Sequence, residues 1–204
     1  KKENIKKIIE KGSAKTHEMF FKDKTTEFKV YDVPIENLTW NPANGRVNTK
    51  VQTWQKVNDR ILVPEKNEED QVIIKNFIWE QKLKENPRTM DSLRTRGQLQ
   101  IGVITSDGFI VSGNRRAMLL DKLNQEVVDG VSLRSLKTII LDETYSGNRK
   151  VLLNLETLLQ HDNENPEGYG AISKYFQLQD LLDTGFSTKE INQNMGWHFT
   201  LSKA

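Results

Sequence analysis

The sequence predicts an α+β fold, with a mixed-sheet domain to about residue 142 and a helical segment after it. Three observations carry that expectation. Two short β-type runs, Ile101–Thr105 and Phe109–Ser112, flank Ser106-Asp107-Gly108, a hairpin turn signal. Ahead of the hairpin, apolar residues recur at spacings of three and four, the period of a helix with one buried face. From about Ser146, Val151, Leu152, Leu155, Leu158 and Leu159 form one apolar stripe.

In chain order, residues 2–12 read as a basic helix with Ile5, Ile8 and Ile9 on one side and Gly12 as its stop. Lys22–Lys29 is polar, and Phe28, Val30 and Tyr31 then suggest a strand that Pro34 ends. Asn41-Pro42 and Asn44-Gly45 mark a turn-rich passage. Helices are expected over 49–61 and 68–84. Another runs from Pro87 to Arg96, with Asn86 as candidate cap and Gly97 at its end. After the hairpin, Ala117–Leu123 has helical character, and Val127-Val128 and Leu136–Leu141 read as further strands. The expected organisation is a basic extension over 1–26, a domain over 27–142 with a helical insertion at about 47–92, and a helical segment over 143–204.

Hydrophobic residues at 36% and charged residues at 28% fit a folded chain rather than a disordered one. A formal charge of +2 is too small to indicate nucleic-acid binding by itself, so local distribution has to carry that case. There is no cysteine, which excludes a disulfide framework, thiolate zinc sites and a cysteine nucleophile, and which fits a cytoplasmic location. No apolar run approaches the roughly 20 residues of a membrane span. The chain starts at Lys1 without Met, which reads as a trimmed start.

The most informative stretch is Phe109-Ile110-Val111-Ser112-Gly113-Asn114-Arg115-Arg116-Ala117. A strand delivers the chain to Gly113, and the following helix exposes its first N–H groups and the positive end of its dipole. Arginines are an odd choice in such a first turn. A phosphate there would use both the N–H groups and the guanidinium forks. The alternative is that Arg115 and Arg116 are surface charges paired with Asp91, Asp107 or Asp121. Five of nine arginines lie between residues 88 and 116, and Arg94 and Arg96 either reach the same pocket or form a separate basic face.

Three elements in this order resemble the ParB branch of the ParB/sulfiredoxin superfamily. They are Asn41-Pro42-Ala43-Asn44-Gly45-Arg46 after Val33-Pro34-Ile35, then Gly97-Gln98-Leu99-Gln100-Ile101, then Gly113-Asn114-Arg115-Arg116. The resemblance covers roughly residues 27–142 and implies a ParB/sulfiredoxin-like mixed sheet that binds a nucleoside triphosphate, CTP or ATP with Mg2+. By that likeness Gly97 and Gln100 lie near base or sugar, and Gly113, Asn114, Arg115 and Arg116 lie at the phosphates. Arg46 takes a structural or nucleotide-proximal place, and Glu156 matches a downstream residue that helps hold the metal. Asn114 stands where the family has glutamate, Met118 where it has a further arginine, and Ile101 where it has proline. An asparagine cannot serve as general base or anionic metal ligand. The expectation is therefore a switch rather than a high-turnover enzyme, with weak CTPase or ATPase activity left open. The sulfiredoxin chemistry needs a cysteine that this chain lacks. The carboxylates open to a phosphotransferase are Asp91, Asp107 and Glu156, although an aspartate before Gly108 is commonly just a turn residue.

In the last forty residues, Tyr169 to Leu182 has helical spacing and Gly185 breaks it. Ser187-Thr188-Lys189-Glu190 is a capping box before Ile191 and Met195. This order is how a helix-turn-helix begins, and it is also how a plain two-helix cap reads. The recognition helix is expected from His198 or Phe199, with Lys203 as its firm positive charge. The leading expectation is a ParB-like partition or regulatory protein. It would bind double-stranded DNA through the completed helix-turn-helix, self-associate, and avoid membranes. Arg88, Arg94, Arg96 and Lys203 are the candidate DNA contacts. A metal-dependent nuclease or phosphotransferase on the same fold, and a degenerate protein-interaction scaffold, are the rivals.

Overall fold

The structure is a computed structural model. It describes residues 1–21, 24–44, 47–126, 133–144, 155–156, 159, 178–179, 181–183 and 185–195. Arg46, Val127-Val128 and Lys203, together with most of the stripe after Ser146 and most of 169–182, lie outside them.

The elements in order are α1 (Lys2–Lys11), β1 (Thr16–Phe21), β2 (Lys24–Pro34), a 3-10 turn (Ile35–Asn37), α2 (Asn48–Asn58), α3 (Glu68–Glu80) and α4 (Asn86–Arg96). Then come β3 (Gly102–Thr105), β4 (Ile110–Ser112), α5 (Asn114–Gln125), β5 (Ser135–Leu141) and a final helix, α6 (Thr188–Met195). The five strands form one mixed sheet in the order β1-β2-β5-β3-β4. β3 runs parallel to β5, and the other pairs are antiparallel. A mixed α+β architecture with helices after the sheet is therefore what the chain adopts.

Side chains alternate across the sheet because successive Cβ atoms point to opposite faces. Tyr31, Val33, Ile104, Ile110 and Leu136 face one core, which α1 through α5 close with Ile5, Val51, Ile74, Ile78, Met90, Met118, Leu119 and Leu123. Val30, Val103, Val111, Ile139 and Leu141 face a second core, covered by Phe109, Leu155 and Leu159. Both faces of the sheet centre are thus shielded from water, and every residue of β3 is buried. The segments expected as an extension (1–26) and an insertion (47–92) both contribute to the first core, through Ile5 and through Val51, Ile74 and Met90.

Sequence and structure part at the first hairpin. The sequence predicts a strand from Phe28 only, yet β2 starts at Lys24, and its first half, Lys24–Lys29, pairs with β1. The polar composition hides the pair because its exposed half buries few side chains, leaving Met19, Phe21 and Phe28 as the apolar contacts. The cap expected of Asn86 is also absent. Glu85 precedes α4, with no side-chain cap, because the Asn86 carboxamide is engaged elsewhere. The capping box at α6 does form. Ser187 N donates to Glu190 Oε2 at 2.7 Å, and Glu190 N donates to Ser187 Oγ at 3.2 Å.

The hairpin turn between β3 and β4 is tight against its surroundings. Gly108 has φ +93°, and a Cβ there would lie 2.6 Å from Asn37 O and 2.9 Å from Ile5 Cδ1. Gly108→Ala combines left-handed strain with a backbone clash, so urea unfolding should show a loss of about 2–3 kcal/mol. A midpoint equal to wild type would contradict this packing of α1 and the 3-10 turn on the hairpin.

Candidate functional site

β4 ends at Ser112, and Gly113, at φ +103°, turns the chain directly into α5. Gly113 is the residue at the N-cap, so no side chain caps the helix. The opening N–H groups of α5 present the positive end of the helix dipole at this point. A Cβ here would make only ordinary van der Waals contacts, 3.4 Å from Arg116 Nη1 and 3.4 Å from Gly102 Cα, so the positive φ is what calls for glycine. Glycine thus makes the sharp turn, with the Arg116 guanidinium close beside it.

The arginines of the first turn diverge. Arg116 donates from Nη2 to Gln100 Oε1. Gln100 is held in place by the preceding segment, which Gly97 starts by ending α4 at φ +71°. There Gln98 uses its carboxamide as a substitute strand residue. It donates to Lys137 O at 2.6 Å and to Gln100 O at 2.8 Å, and accepts from Lys137 N at 2.8 Å. Gln98 anchors residues 98–100 to β5, and so sets where Gln100 meets Arg116.

Arg115 turns instead to α4. Its Nε donates to Asn86 Oδ1 at 3.0 Å and its Nη2 to Thr89 Oγ1 at 3.2 Å, with the Glu85 carboxylate 3.9 Å away. Asn86 is fully buried and donates to Trp79 O at 2.8 Å. This carboxamide therefore joins the end of α3, the start of α4 and the start of α5. The Glu85 carboxyl lies below the usual carboxylate range, mainly through its hydrogen bond from Lys82, with the charges of Lys82 and Arg115 adding to it. Asp91, Asp107 and Asp121, the acids weighed as arginine partners from sequence, bond to Arg94, Thr105 and Lys75.

Behind the helix start lies a buried polar cluster. Asn114 Oδ1 accepts from Asn41 N at 3.3 Å, and its Nδ2 donates to Ile110 O at 3.4 Å. Asn41 Nδ2 donates to Glu156 Oε2 at 3.5 Å, and Asn41 Oδ1 accepts from Ala43 N at 2.8 Å. Asn41, Asn114 and Glu156 are 0%, 5% and 4% exposed, so these contacts replace water that the groups have lost. Three positions far apart in sequence meet here. Among the described residues, no group of three or more His, Asp or Glu side chains stands together to hold a metal.

The candidate DNA contacts on α4 are exposed. Arg94 is bound by Asp91 at 2.6 Å and by Glu126, and its guanidinium is raised above its usual range chiefly by the Glu126 hydrogen bond. Arg94 and Arg96 occupy the last turn of α4, where the helix dipole favours cations. Beside them is an open groove of about 420 Å³, floored by Trp79, Pro87 and Met90 and rimmed by Arg94, Lys122 and Glu126. The Lys122 ammonium sits 4.4 Å from the centre of the Trp79 ring. Nothing in the local sequence pattern marked this groove, which arises where the ends of three helices converge.

The structure thus gathers Gln100, Gly113 and Arg116 at the start of α5, with Asn114 and Glu156 behind it, and directs Arg115 to α4. No protein-family model, curated protein or solved structure matches the chain. Among the described residues, no helix is long and apolar enough to cross a membrane.

The divergence of the two arginines separates their roles in stability. Arg115→Ala strands the buried Asn86 carboxamide and should cost about 1–3 kcal/mol in chemical denaturation. Arg116→Ala, on the solvent side, should stay within about 0.5 kcal/mol of wild type. Equal losses for the two variants would contradict the assignment of Arg115 to the helix junction.

Proposed function

We propose that this chain is a ParB-like regulatory module that binds a nucleoside triphosphate, CTP or ATP with Mg2+, at the start of α5. The observation that carries the reading is the Gln100–Arg116 pair beside the uncapped helix start at Gly113. A phosphate seated there accepts from the first N–H groups of α5 and from the Arg116 guanidinium, which exchanges Gln100 Oε1 for a charged acceptor. The Gln100 amide is then available to the ribose or base. Arg115 would act by holding α5 against α4, and Glu156, bonded to Asn41, would be the carboxylate offered to the metal.

The module would act as a switch. Among the described residues, the buried network behind the helix start joins the amides of Asn41 and Asn114 to the Glu156 carboxylate, a set that could couple a ligand at the helix start to the rest of the fold. Nucleotide state would govern self-association, and α6, whose capping box fits the start of a helix-turn-helix, would contribute to contacts with double-stranded DNA. The scaffold reading has its own support, since both arginines of the first turn have protein partners.

Calorimetric titration of the four ribonucleoside triphosphates, with and without Mg2+, separates these readings. Binding of CTP or ATP is expected, and Arg116→Ala should weaken it by roughly one to two decades while leaving the fold intact. No heat from any nucleotide would leave the scaffold reading standing, and unchanged affinity in Arg116→Ala would move the site elsewhere. Sustained Mg2+-dependent turnover of nucleotide or DNA would favour the enzyme reading instead.

DNA binding by these 204 residues should be weak and carried by phosphate contacts. Arg94, already neutralised by Asp91 and Glu126, contributes little to it. A fluorescence titration against two unrelated duplexes at two salt concentrations should show little discrimination and a steep loss with salt. Tight, salt-insensitive binding to one duplex would contradict this.

A further inference from the structure

In a β-strand, backbone N–H and C=O groups face the two neighbouring strands by turns. Val30 N donates to Lys15 O at 2.8 Å, and the register then sets Thr16 opposite Lys29 and His17 opposite Phe28. The backbone groups of Lys15 and Val30 therefore face each other, and by alternation those of His17 and Met19 face β2. Thr16, Glu18 and Phe20 direct their backbone groups outward. β1 ends the sheet on that side, and among the described residues no strand lies beyond it.

Sheet edges are usually shortened, kinked or covered to prevent pairing. The opposite edge conforms: β4 has three residues, and Ile110 N there donates to Thr39 O at 3.0 Å. Among the described residues, β1 has none of these protections. It runs six residues, without proline, glycine or a register shift, and Thr16, His17 and Glu18 are exposed.

We infer that β1 pairs antiparallel with β1 of a second copy about a two-fold axis. Outward groups bond only to outward groups, so the axis falls at His17, Glu18 or Met19. An axis at Glu18 sets two carboxylates opposite each other, and one at His17 opposes two histidines that repel when protonated. An axis at Met19 opposes no like charges and keeps residues 17–21 of both copies paired. It sets Met19 against Met19 of the second copy, and lets Glu18 exchange two backbone hydrogen bonds with Phe20 of the second copy on each side of the axis. Such an interface is small, so the dimer is concentration-dependent, with a dissociation constant on the order of 10–100 µM. The inference rests on the sheet alone, and measuring it without nucleotide keeps its failure distinct from failure of the triphosphate reading.

The test is sedimentation equilibrium across a concentration series, beside amide exchange read residue by residue. Wild type should move from 23.6 kDa toward twice that mass, and the Glu18 and Phe20 amides should gain protection with concentration. Glu18→Pro removes an outward donor that β2 does not use, so the monomer sheet stays intact while dimerisation weakens about ten- to a hundredfold. A wild type that stays at 23.6 kDa, exchange at Glu18 and Phe20 that ignores concentration, or a folded Glu18→Pro that dimerises like wild type would each overturn the proposal. The exchange measurement decides the matter even if the proline variant does not fold.

Discussion

The carboxamide of Asn41 joins parts of the molecule that share no strand or helix. Its Nδ2 reaches Glu156, its backbone N–H reaches Asn114 at the start of α5, and its Oδ1 bends the chain by accepting from Ala43 N. Ala43 in turn packs with Leu181, Phe186 and Ile191, so the small C-terminal core forms on the turn that Asn41 shapes. All of this takes place out of water, where an amide left without partners costs about 1–3 kcal/mol. The geometry at Asn41 is therefore held from several sides, and the helix start that carries the candidate site inherits that rigidity.

Asn86 plays the corresponding part on the helical layer. It accepts from Arg115 and donates to Trp79 O, locking α3, α4 and α5 about one buried carboxamide. Both asparagines precede proline, Asn41 in a turn and Asn86 at the first residue of α4, and each turns its side chain to distant partners. The arginine box is divided between them. Arg115 belongs to the helix junction, whereas Arg116 is directed to Gln100 and the glycine turn. A site assembled this way can change its ligand contacts without disturbing the packing that supports it.

The sheet explains why the molecule tolerates such a polar interior. With both faces of β3 and β5 covered by apolar side chains, the backbone groups are satisfied by the ladders and by the Gln98 substitute strand. The polar cluster sits at the end of this shielded region rather than inside it. At the far side, β1 and the first half of β2 extend beyond the covered part, which is why their side chains are mostly exposed.

The sequence by itself determined the β3–β4 hairpin, the turn at Gly113, the four helices from α2 to α5 and the capping box of α6. Each of these is set by local chemistry: glycine at positive φ, apolar residues at helical spacing, or a hydroxyl and a carboxylate three residues apart. Periodicity also marked most of the core, including Ile5, Ile78 and Leu136. What only the tertiary structure decided was pairing across distance. The polar β1 strand exists because β2 is beside it, and Asn86, one residue inside α4 rather than at its cap, turns its carboxamide to Arg115. The two arginines of one motif took different partners because neighbouring residues on a helix point about 100° apart. No local pattern records what each will face.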